Sequence, residues 1–102
     1  MMLTEEIKKT IKQEIIQCLS PEREINRIII FGSFINSITP NDIDIAIFQN
    51  SKESYLTLAM KYRKLTRMIA QKISLEIIPI KSNASNSTFL SEIETGEVIY
   101  ER

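Results

Sequence analysis

Asp42 and Asp44, one residue apart in the segment DIDIAIF, carry the clearest chemistry in this chain. Side chains alternate between the faces of an extended strand, so the two carboxylates share one face while Ile43, Ile45 and Ile47 take the other. Like charges this close raise each other's pKa and oppose folding unless a cation sits between them. An all-oxygen pair suits Mg²⁺. Upstream, Gly32 and Ser33 follow the apolar run Ile28-Ile29-Ile30-Phe31, where a strand must give way to a turn or short helix. Glycine lets a bulky anion approach the backbone, amides at a helix start point toward it, and Ser33 adds a hydroxyl donor. Phosphate donors beside paired carboxylates describe a metal and nucleotide site.

Composition narrows the chemistry further. The chain has 102 residues, 43% hydrophobic and 25% charged, which is ordinary for one soluble domain but short for an enzyme that must hold two substrates unaided. Thirteen basic and thirteen acidic residues cancel, against the basic excess expected of a nucleic-acid binder. With no histidine, the commonest general base is missing, and Ser-His, Cys-His and zinc-hydrolase chemistries lose their central part. The single cysteine, Cys18, excludes an internal disulfide, fits a reducing cytoplasm and is expected to be an inert, partly buried residue. No apolar run is long enough to cross a membrane, and the start MMLTEEIKKT lacks the pattern of a signal peptide.

Elements that would position these residues follow from periodicity. From about Thr4 to Leu19, Ile7, Ile11, Ile15, Ile16 and Leu19 recur at helical spacing, with Thr4 as N-cap and Pro21 as the stop. Ile25 to Phe31 is a strand apolar enough to be covered on both faces. Pro40-Asn41 turns the chain into a second strand over 42–48. A long helix is expected from about Lys52 to Ile73, with Leu58, Tyr62, Leu65, Ile69 and Ile73 on its inner stripe. Its outer face carries Lys52, Lys61, Arg63, Lys64, Arg67 and Lys72 against Glu53 alone. A solvated face is the plain explanation of that pattern, and a docking surface for an acidic partner or phosphate is the alternative. Ser74 to Ile80 is a third strand, placed at an edge by Pro79, which has no amide to donate. A polar loop over 81–87, a short helix around Phe89, Leu90 and Ile93, a stop at Gly96 and a short strand over 98–100 complete a small α/β sandwich, with helices mainly on one side of a mixed sheet of three to four strands.

With Gly32-Ser33, Asp42-Ile43-Asp44 and Glu76 in place, the chain resembles the minimal nucleotidyltransferases (MNT) of the DNA polymerase β superfamily. The likeness runs over nearly the whole chain, to an ending, IETGEVIYER, typical of such proteins. It implies that Asp42 and Asp44 bind Mg²⁺ on the triphosphate of a nucleotide and that Gly32 and Ser33 hold its β- and γ-phosphates. Glu76 would complete the site, holding a second metal or accepting the proton of the attacking hydroxyl. Members usually continue Gly-Ser with a basic residue and a second glycine, where this chain has Phe34-Ile35-Asn36-Ser37. They also have a longer loop before the aspartates and more often Asp as third acid.

The resemblance implies transfer of a nucleoside monophosphate, AMP from ATP, onto a hydroxyl of a protein partner. Free-standing members often pair with a small all-helical HEPN protein, and in toxin–antitoxin pairs they adenylylate a tyrosine of that toxin; this chain would then be the antitoxin. The rival expectation is a binding module of the same fold that has lost turnover and neutralises or scaffolds a HEPN partner by contact, favoured by the two apolar residues after Ser33. A phosphate-binding or phosphohydrolase domain is a third. Self-association into a homo-oligomer stays open.

Overall fold

The computed structural model describes residues 2–83 and 88–102, without the side chains of Thr88, Phe89 and Glu92. Helix α1, Glu5–Leu19, starts where Thr4 Oγ1 accepts the Ile7 amide at 3.2 Å, with Glu5 and Glu6 in its positively polarised first turn. Its inner stripe is Lys8, Ile11, Ile15 and Leu19, while Ile7 is exposed. The stripe expected through Ile7 is therefore turned by one residue, and a lysine takes the innermost place.

Strand β1, Ile25–Phe31, leads through Gly32 into a one-turn helix α2, Ser33–Asn36, and on to β2, Asp42–Gln49. β3, Ser74–Lys81, lies parallel to β2, and β4, Glu97–Glu101, antiparallel to β1, so the mixed sheet runs β3-β2-β1-β4. Pro79 thus stands on an edge strand, as its missing amide requires. The isoleucines divide by alternation. Ile28, Ile30, Ile43, Ile45, Ile47 and Ile77 face a core closed by α1 and the following helices. Ile29, Ala46 and Phe48 face the other way, where Leu90 and Ile93 of α5, Thr88–Glu94, cover them. That helix sits opposite the main helical layer, and the part of the polar loop over 84–87 lies outside the described residues.

The long helix expected over 52–73 is two helices, α3, Tyr55–Leu65, and α4, Arg67–Ala70. Ser54 caps the first, its Oγ accepting the Thr57 amide at 3.2 Å. The break falls at Thr66, buried, with its hydroxyl donating to Tyr62 O at 2.8 Å and its backbone at φ −105°, ψ 13°. A threonine hydroxyl bonded back to the preceding turn competes with the amide ladder and bends a helix. Beyond α4 the chain closes in one last turn, the Ile73 amide donating to Ile69 O at 3.2 Å, and Ile73 enters the core just ahead of β3.

One polar cluster ties α3 to the entry of β1. Tyr62 hydroxyl donates to Glu24 Oε2 at 2.9 Å, and Lys61 Nζ lies 3.0 Å from the same oxygen and 2.6 Å from Glu22 Oε1. Partial burial works to raise the Glu24 pKa, but hydrogen bonds from its backbone amide, Lys61 and Tyr62 prevail and hold it below the ordinary value. Tyr62→Phe is expected to cost about 1 kcal/mol at pH 7, measured by urea denaturation. Because the folded Glu24 pKa lies below the unfolded one, the cluster contributes in full above the unfolded pKa and fades as pH falls through the folded one. The Tyr62→Phe penalty should shrink in acid; an unchanged penalty would show that the hydroxyl does not serve the carboxylate.

Candidate functional site

Asp42 and Asp44 emerge on the face of β2 turned away from the main helical layer, because Ile43, Ile45 and Ile47 are sealed into the core on the other. Register places Asp44 opposite Phe31 of β1 on one side and Glu76 of β3 on the other, with Asp42 opposite Ser74. Residues directly paired across a ladder share a face. All three acids therefore stand on one face of the sheet, two on β2 and one on the parallel neighbour, the arrangement expected from their alternation.

Their electrostatics are those of an unneutralised cluster. The Asp44 carboxyl is half-buried and pushed above its ordinary pKa, first by burial and then by the charges of Asp42 and Glu76. Among the described residues no cation forms an ion pair with any of the three. Two carboxylates form a hard oxygen donor set that fits a dication such as Mg²⁺, which typically takes one or two carboxylates and completes its shell with water and phosphate oxygens. Among the described residues, no three His, Cys, Asp or Glu side chains form a ready-made metal-holding group.

Gly32 is shaped by the same carboxylate. Its φ of +79° and ψ of −155° lie in a region that side chains rarely adopt, and a Cβ there would collide with Asp44 Oδ2. A glycine is required on both counts, and the turn lies directly against Asp44. Ser33 follows, exposed, at the start of α2, which is held by the Ile35 amide on Gly32 O at 3.2 Å and the Ser37 amide on Ser33 O at 2.8 Å.

The residues that depart from the usual motif do not intrude on this turn. Phe34 is 0% exposed and belongs to the main core, with Ile35 packed half-buried against it. Lys8, which periodicity did not single out, secures them. Its side chain is 4% exposed, with Nζ donating to Ser37 O at 2.6 Å and lying 5.3 Å from the Phe34 ring centre, while the Leu3 amide donates to Ile38 O at 2.7 Å. The backward extension of Ile11, Ile15 and Leu19 by one further turn was the available signal. Cys18 is half-buried, as expected, with its thiol pKa raised, by burial first and then by Glu14, which disfavours the reactive thiolate.

A strand, a glycine turn, a strand with alternating aspartates and a parallel third strand make up the nucleotidyltransferase fold. A family model described as Polymerase beta, Nucleotidyltransferase matches residues 13–102. The chain belongs to that family. No curated protein matches it.

Because the folded Asp44 pKa is raised, the native state binds the extra proton between the unfolded and folded pKa values, and stability falls as pH rises through that window. Asp44→Asn should therefore raise the melting temperature at neutral pH by about 2–5 °C, an advantage that vanishes at pH values where Asp44 is protonated in both states. A lower melting temperature at neutral pH would contradict the burial cost and repulsion described here. Gly32→Ala should do the reverse and destabilise by about 1–3 kcal/mol, read as a shift of the urea midpoint.

Proposed function

We propose that this nucleotidyltransferase-family chain transfers AMP from ATP to a hydroxyl of a protein partner, a small helical protein of the HEPN type, and acts as the antitoxin of such a pair. The observation that supports this most is Asp42, Asp44 and Glu76 on one sheet face against a turn that only glycine can form, within a chain of this family. Asp42 and Asp44 would hold Mg²⁺, with Glu76 available for a second ion. Bound there, the ion would neutralise charge on the triphosphate. Gly32 and Ser33 would receive the β- and γ-phosphates through backbone amide and hydroxyl. The acceptor hydroxyl attacks the α-phosphorus, the bond to the pyrophosphate oxygen breaks, and the hydroxyl proton passes to Glu76 or to water. Such a transfer depends on alignment and charge neutralisation more than on covalent help, so the absence of histidine is no obstacle.

A second reading, a binding module of the same fold, has Phe34 and Ile35 in its favour, since neither can contact phosphate as the usual basic residue does. The burial of Phe34, with Ile35 packed half-buried against the core, weakens it, because these side chains do not obstruct Gly32 and Ser33. Incubation with ATP labelled at the α-phosphate, Mg²⁺ and the co-purifying helical protein separates the two. Transfer predicts label on the partner, reduced at least about 100-fold by Asp44→Asn. An unlabelled partner that still binds tightly would overturn transfer in favour of the module.

A further inference from the structure

The outer face of α3 and α4 has a character that neither the sheet nor the carboxylate site explains. A groove of about 530 Å³ runs along it, lined by Thr57, Met60, Lys61, Arg63, Lys64 and Arg67. Lys61 is neutralised by Glu22 and Glu24, yet among the described residues no acid pairs with Arg63, Lys64 or Arg67. Large apolar side chains stand among these cations: Leu56 is 64% exposed, Met60 60% and Met68 70%. Leu56, Met60, Arg63 and Lys64 recur at intervals of three and four along α3, so they form one stripe, opposite the buried stripe of Leu58 and Tyr62, and the groove continues past the break at Thr66 to Arg67 of α4. A solvated helix face would be charged without the methionines and leucine, and a purely apolar one would not leave three cations unpaired.

We infer that this stripe is a docking surface for an amphipathic helix of a partner protein, with apolar residues along its centre and acidic residues on its flanks. Charge complementarity selects the acids. Met60 is flexible and polarizable, suited to an apolar ridge, whereas a nucleic acid would use the cations and leave Leu56 and Met60 wet. Along α3, from Leu56 to Lys64, the stripe spans about 12 Å at helical rise, just over two turns of a partner helix, and Arg67 extends it onto α4. A helical occupant follows because α3 and α4 offer no free backbone ladder to an extended peptide, whereas a helix satisfies its own amides and carbonyls. A second copy of this chain is a poor fit, since the exposed side of α1 mixes Glu5 and Glu6 with Lys9. This face lies beyond the helical layer, away from the sheet face that carries Asp44, so an occupant would leave the carboxylates accessible. The inference does not rest on the proposed transfer activity.

The test uses fluorescence anisotropy on the full chain with three labelled probes. These are a four-turn peptide with leucines at helical spacing and glutamates on either flank, its scrambled isomer, and a single-stranded oligothymidine of equal charge. The amphipathic peptide is expected to bind at least about tenfold more tightly than the other two. Met60→Asp and Arg67→Glu should each weaken it about tenfold, with the circular dichroism of the chain unchanged. Added salt should weaken it further. Equal binding of the scrambled peptide or the oligothymidine, absence of binding, or indifference to Met60→Asp would each overturn the inference. So would concentration-dependent self-association that Met60→Asp abolishes, since the face would then be occupied by a second copy.

Discussion

The register of β2 between β1 and β3 is the constraint from which the rest of the site follows. Alternation has a period of two, so sealing Ile43, Ile45 and Ile47 into the main core forces Asp42 and Asp44 to the other face. A slip by one residue would turn both carboxylates into the apolar core without a partner, at a cost of several kcal/mol. The core therefore holds two like charges together that would otherwise move apart. Parallel pairing with β3 adds Glu76 beside Asp44, whose pKa is raised first by burial and then by the charges of Asp42 and Glu76.

That arrangement shapes its surroundings. Asp44 lies where a side chain at position 32 would be, so the turn after β1 must be glycine, and α2 is suspended from that turn. Phe34 anchors α2 from below by entering the core, and the buried Lys8 fastens its far end through Ser37 O. Burying an ammonium group with one carbonyl and one aromatic face is costly. Here it joins the first helix to the segment that presents Gly32 and Ser33.

Features governed by local chemistry were legible in the sequence. The cap at Thr4, the extent of β1, the edge position required by Pro79 and the shared face of Asp42 and Asp44 all follow from side-chain spacing or backbone restriction, and all are found. What escaped depends on partners distant in the chain. Thr66 resembles any exposed helix residue until its hydroxyl is seen bonded back to Tyr62 O, and Lys8 resembles a surface lysine until α2 closes over it. Phe34, which stands where a basic residue is usual, belongs to the core, with Ile35 packed half-buried against it. Placement of α5 opposite the other helices likewise depends on Leu90 and Ile93 finding Ile29, Ala46 and Phe48.

Carbon-detected NMR titration of the Asp44 carboxyl, with and without Mg²⁺, addresses the central claim most directly. Without the ion its midpoint should lie above that of an ordinary aspartate; with saturating Mg²⁺ it should fall well below, because a cation favours the charged form. An ordinary midpoint that Mg²⁺ leaves unmoved would contradict the claim that these strands hold a carboxylate pair in want of a cation.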